Sequence, residues 1–144
     1  MRGSVSRRCA CRDPETGKQL GQSCPKLDQR RHGTWAIRQE VPPGADGTRR
    51  TFRRSGYRSA TEGQKDLDQI RALLAIPDSD DVLGKQRLGD LLEHIASTRE
   101  PLPTADDIRR KFRSGQSLTT RMTVGEWLDT CIAGRKIRAS TIKR

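Results

Sequence analysis

The chain reads as an α+β protein: a small, three-stranded antiparallel sheet backed by one helix, followed by further helical segments. Three observations predict this. Trp35, Ile37 and Val41 alternate along one segment, with Phe52 the apolar centre of the next, the period-2 pattern of half-buried strands. Between the two, Pro42-Pro43-Gly44 and Asp46-Gly47 supply the restricted and the positive φ values that a chain reversal needs. Downstream, Leu67, Ile70 and Leu74 recur at helical spacing behind Ser59 and Glu62, which have the spacing of a capping box.

Composition limits how far such a core can extend. Only 31% of the 144 residues are hydrophobic and 3% aromatic, so small modules joined by mobile segments and of modest stability are expected. The formal charge is +11, and residues 1–60 carry +9 of it, with 14 Lys or Arg against 5 Asp or Glu. A basic excess of this kind favours a polyanion, and a phosphate backbone is the commonest one, so double-stranded DNA is the expected partner. No apolar run approaches the length of a spanning helix and no signal peptide is visible, which argues against a membrane and for a cytoplasmic protein whose cysteines are reduced or bind metal.

In chain order, residues 1–8 with Val5 could add the third strand, and residues 9–31 read as a loop broken by Asp13-Pro14, Gly17, Gly21 and Cys24-Pro25. Within it Cys9, Cys11 and Cys24, with His32 just beyond, could supply four ligands for a structural zinc ion, because thiolate and imidazole suit that metal and binding would offset the loop's ordering entropy. The spacing is atypical, a CxC instead of a CxxC, and the plainer reading, reduced cysteines in a loop, is the one it favours. In the hairpin that follows, if Trp35, Ile37 and Phe52 face inward, then Arg38, Arg49, Thr51 and Arg53 form a narrow cationic face. A ribbon of that width fits the DNA major groove, where Arg reads guanine and Thr touches a thymine methyl.

The helix is expected to end near Ile76. An acidic break at Pro77–Asp81 then caps a helix with the stripe Leu88, Leu91, Leu92 and Ile95, and His94 sits at its surface. Pro101 and Pro103 end that helix. Thr104 and Asp107 open a short one bearing Ile108, Phe112 and the Arg109-Arg110-Lys111-Arg113 cluster, which either meets a phosphate backbone or is an ordinary solvated face. A second capping box, Thr123 to Glu126, precedes the stripe Val124, Trp127, Leu128, Cys131 and Ile132, which needs a covering partner. The expected division is residues 1–76 as the sheet module, 77–121 as a helical linker, and 122–144 as the start of an incomplete domain.

Several of these segments resemble a known family. Met1-Arg-Gly-Ser-Val5, Cys9-Ala-Cys-Arg-Asp-Pro-Glu-Thr-Gly-Lys18, Ser23-Cys-Pro25 and Arg31-His-Gly-Thr-Trp35 resemble the N-terminal region of tyrosine-type site-specific integrases of actinobacteria and their phages. Thr123-Val-Gly-Glu-Trp-Leu128 and Arg138-Ala-Ser-Thr141 look like the opening of that family's SAM-like core-binding domain. The resemblance implies an arm-site DNA-binding module acting in DNA integration and recombination, with Arg38, Arg49, Thr51 and Arg53 in or near the contacting sheet and other integrase subunits as further partners. The sequence departs from that family in stopping before the catalytic domain, so the chain is expected to be no enzyme by itself. Tyr57, the single tyrosine, is read as an aromatic plug between sheet and helix and not as the strand-cleaving nucleophile. The alternative function is a protein-interaction fragment that regulates recombination through its C-terminal apolar helix.

Overall fold

The computed structural model describes residues 2–119, together with Gly125, Leu128 and Ile132. Its sheet has four antiparallel strands, one more than expected, in the order β2-β1-β3-β4. These are β1 Gly3–Arg12, β2 Gln19–Gly21, β3 Thr34–Val41 and β4 Arg50–Tyr57. Three helices follow: α1 Ala60–Leu74, α2 Val82–Thr98 and α3 Ala105–Arg113.

The expected β3-β4 hairpin is present, and its loop closes as its residues suggest. Gly47 N–H donates to the Gly44 carbonyl (2.9 Å), Gly44 N–H to that of Thr48 (3.1 Å), and Asp46 Oδ1 accepts from Thr48 N–H (3.0 Å). The segment read as a loop over residues 9–31 is more ordered than that reading allowed. β1 runs on through Arg12, β2 pairs back onto it, and a 3₁₀ turn spans Pro25–Asp28. Cys9-Ala10-Cys11-Arg12 alternates like the strand before it, a signal too short to stand out among the surrounding turn residues.

One face of the sheet carries Val5, Trp35, Ile37, Gln39, Val41 and Phe52, and both α1 and α2 cover it. A β-bulge at Gly56 (φ 103°) shifts the register between Trp35 and Ala36. Glycine takes that φ readily, and the extra residue turns Tyr57 back under the helices, where it is buried. Ser59 caps α1 by accepting from Glu62 N–H (3.1 Å), while the Glu62 carboxylate accepts from the Arg58 amide (2.9 Å). The α1 stripe is Gly63, Leu67, Ile70 and Leu73, with Leu74 only half-buried.

The described part of the segment expected to be a linker packs into the same core as the sheet. Leu88, Leu91, Leu92 and Ile95 of α2, Ile108 of α3, and Leu118 join Ile37, Phe52, Leu67 and Ile70 in one apolar cluster. Asp81 caps α2 by accepting from Gly84 N–H (2.7 Å), and Thr104 caps α3 by accepting from Asp107 N–H (3.2 Å). Of the stripe expected over residues 124–132, only Leu128 and Ile132 are described; both are helical and exposed. Its other members, and all of the expected domain start over 122–144 but Gly125, Leu128 and Ile132, lie outside the described residues.

Candidate nucleic-acid interface and metal centre

The run Arg49-Arg50-Thr51-Phe52-Arg53-Arg54 is divided by the strand's two-residue period into two sets with different work. Arg50 and Arg54 share the helix-covered face with Phe52. Arg50 donates to Asp90 (2.6 Å) and Glu93 (3.0 Å) of α2 and to the carbonyls of Pro42 and Pro43 (3.1 Å each). Arg54 lies over the Phe52 ring, donates to the Glu100 carbonyl (2.5 Å) and pairs with Asp66 of α1 (3.6 Å). These two guanidinium groups are spent inside the fold.

Thr51 and Arg53 fall on the other face, with Arg38 directly across from Arg53; Arg49, just before the strand, lies near Glu40, the partner of Thr51. Among the described residues no helix covers this side. The register extends it over three strands: Arg53, Arg38 and Ser4 form one row, Ser55, Ala36 and Ser6 the next, and Thr34 pairs with Arg8 beyond. The rows form the floor of a trough, joined by Gln19 of β2 and by Arg99 just past α2. Arg8, Arg38, Arg49 and Arg53 are all exposed, and none forms an ion pair with another described residue. Glu40 is the one acidic residue in the four strands. A hydrogen bond from the Arg2 amide (3.1 Å), helped by nearby Arg49 and Arg38, holds its carboxyl below the ordinary carboxylate range.

The four residues proposed as the face, Arg38, Arg49, Thr51 and Arg53, therefore do lie together on the uncovered side. Arg8, Arg99 and Gln19 were missed. Arg8 was legible in Ser4-Val5-Ser6-Arg7-Arg8, where alternation about Val5 turns it outward. Arg99 was not, because only the packing of α2 brings it there. On α3, Arg109 and Arg110 pair with Asp106 and Asp107 of their own helix, so that cluster is partly neutralised.

At the β2 side of the sheet, Cys9, Cys11, Cys24 and His32 converge, their ligand atoms all within 4.8 Å of one another. These residues could bind a metal. Cys9 and Cys11 stand two apart at the end of β1, where its pairing with β2 shifts register between Cys9 and Arg12. Cys24 stands at the start of the 3₁₀ turn and His32 in the bend before β3, so the loop returns both to β1. His32 Nε2 is 3.4 Å from Cys11 Sγ and 3.5 Å from Cys24 Sγ. Tetrahedral ligation with Zn–S of about 2.3 Å and Zn–N of about 2.0–2.1 Å requires an S···N edge of about 3.5 Å. A close approach shapes the same corner: a Cβ at Gly33 would lie 2.6 Å from the Arg8 carbonyl oxygen and 2.9 Å from Leu27 Cδ2.

Tyr57 is fixed in place. Its hydroxyl donates to Asp66 Oδ2 (2.8 Å), and burial, with that bond and the Asp66 charge, raises its pKa well above the ordinary phenol value. A nucleophile needs the opposite shift. Among the described residues no helix is long and apolar enough to cross a membrane. Comparison with protein-family models, curated proteins and solved structures gives no match to this chain.

Proposed function

We propose that this chain is a DNA-binding, non-catalytic N-terminal part of a tyrosine-type site-specific integrase, and that it binds duplex arm sites through the uncovered face of its sheet. The observation that carries the reading is the division of the arginines. Arg50 and Arg54 are consumed by carboxylates and carbonyls, whereas Arg8, Arg38, Arg49 and Arg53 face solvent with no ion pair to a described residue. Four unpaired cations on one side of a sheet repel each other and gain most from a line of phosphates.

The dimensions support a groove as the seat. From Ser4, in the row of Arg38 and Arg53, to Arg8 is four residues along β1, about 13 Å at strand rise, close to the roughly 12 Å width of a major groove. Between them Ser6, Ala36 and Ser55 are short enough to let base edges approach. The integrase assignment rests on the sequence resemblance; DNA binding rests on the face itself. We assign zinc to the four-ligand cluster, since three thiolates and an imidazole, with two S···N separations of tetrahedral-edge length, suit that ion best. Metal analysis of the protein purified under reducing conditions should then find a single zinc per chain, lost in Cys9→Ser.

The test of the face is fluorescence anisotropy with a duplex selected from a random pool, compared with a random-sequence duplex over a range of salt. Binding should favour the selected duplex and weaken steeply with salt. Replacing Arg38, Arg49 and Arg53 together by Ala should reduce the log–log salt slope by roughly 0.9 for each phosphate no longer neutralised. Affinity indifferent to salt and to these three residues would discard the proposal.

A further inference from the structure

We propose that metal occupancy governs half of the DNA-binding face: the Cys9, Cys11, Cys24 and His32 centre is a clasp that presents Arg8 and Arg12 to DNA. This rests on the reading of the open face as the DNA surface.

The two halves of the sheet are held by different means. β3 and β4 are anchored through Ile37, Val41, Phe52 and Tyr57 to the helices, and the apolar core includes Val5 and Trp35 but nothing between them. From residue 9 to residue 33, then, no residue joins the apolar cluster among the described residues. β2 is three residues long, and its pairing with β1 is interrupted by a register shift. Such an edge is marginal without a further constraint.

Two devices tie the segment down. Arg7 forks onto the end of the 3₁₀ turn, donating to the carbonyls of Leu27 (2.9 Å), Gln29 (3.0 Å) and Arg30 (3.0 Å). The second is the ligand cluster, which joins β1 to both ends of the returning loop. Ligands and DNA-facing residues interleave along the chain. Arg8 shares a row with Thr34, and Arg12 one with Gln19, both of which line the trough; Cys9 and Cys11 stand between these two arginines on β1, Cys24 lies two residues past Gln22, and His32 two before Thr34. Gln22, Thr34, Arg8 and Ala10 all line the trough. Binding energy at the centre is folding energy for this corner, so it fixes where Arg8 and Arg12 stand. Arg38 and Arg53, on the helix-backed strands, do not depend on it.

The experiment uses the full chain, zinc-loaded and chelator-stripped under reducing conditions, in three forms: unaltered, Arg8→Ala with Arg12→Ala, and Arg38→Ala with Arg53→Ala. Anisotropy against the selected duplex and amide hydrogen exchange are the readouts. Stripping should weaken binding by about tenfold, the scale of removing two arginines from the interface. Arg8→Ala with Arg12→Ala should weaken the loaded protein by a similar factor and leave the stripped protein nearly unchanged. Arg38→Ala with Arg53→Ala should weaken both. Exchange should rise over residues 8–33 on stripping while β3, β4, α1 and α2 stay protected, and Cys9→Ser should reproduce the stripped pattern without chelator. The proposal is overturned if stripped protein binds as tightly as loaded, or if the Arg8 and Arg12 effect is equal in both. A loss of protection in the helix-backed core on stripping overturns it too, since the centre would then hold the whole fold. If loaded protein fails to bind duplex at all, the DNA reading falls and this one with it, and that result is distinct from a metal-independent affinity.

Discussion

Arg53 and Arg54 are neighbours in the chain and opposites in the fold. Arg53 is exposed across from Arg38, so its charge is free for a phosphate. Arg54 has 17% of its side chain exposed, stacks on Phe52 and satisfies the Glu100 carbonyl and Asp66. Removing it takes the cation from a part-buried Asp66 carboxylate and the stacked guanidinium from the Phe52 ring. Arg54→Ala is therefore expected to cost about 2–3 kcal/mol in urea unfolding, and Arg53→Ala less than about 0.5 kcal/mol. DNA binding should respond more strongly to Arg53→Ala, measured well below the unfolding midpoint. Equal stability losses would mean that the two side chains do not differ in burial as described. Which arginine does which was readable from Trp35, Ile37 and Phe52, because a strand's side chains can point only two ways. What Arg50 and Arg54 touch was not, since Asp90, Glu93 and Glu100 lie 40 or more residues further along.

Elements show the same division between local and distant causes. The caps were legible because they are chemistry within one turn: Ser59 to Glu62, Asp81 to Gly84, and Thr104 to Asp107. Ser59→Ala should destabilise the domain by about 1 kcal/mol, seen as a lower urea midpoint at unchanged slope; an unchanged midpoint would show that the Ser59 hydroxyl is not supporting α1. The β1-β2 pair was harder to see. A three-residue strand gives no measurable period, and the turn residues around it mask the alternation of Cys9 and Cys11. The bulge at Gly56 was equally hidden, and without it strict alternation from Phe52 would turn Tyr57 to the open face.

For the whole molecule, the consequential difference is that α2 and α3 belong to the core and are not a tether. Low hydrophobic content suggested separate small modules, yet Leu88, Leu91, Leu92 and Ile95 pack with Ile37, Phe52 and Leu67 in one cluster. Leu92 is wholly buried, and Leu92→Ala should cost about 2–5 kcal/mol. Amide protection should fall together in β3, β4 and α2; loss confined to α2 would restore the linker picture. Among the described residues the same packing leaves one side of the sheet bare, and the arginines gathered there set that side apart from the helix-covered one. By itself the sequence determined the hairpin, the three capped helices and the outward set Arg38, Arg49, Thr51 and Arg53, because each follows from spacing within a few residues; it offered Cys9, Cys11, Cys24 and His32 as candidate ligands while favouring reduced cysteines. Only the tertiary structure decided that Cys9, Cys11, Cys24 and His32 meet, that Arg99 joins the face, and that α2 closes the core. Those depend on contacts between residues far apart in the chain, which packing selects and local spacing does not encode.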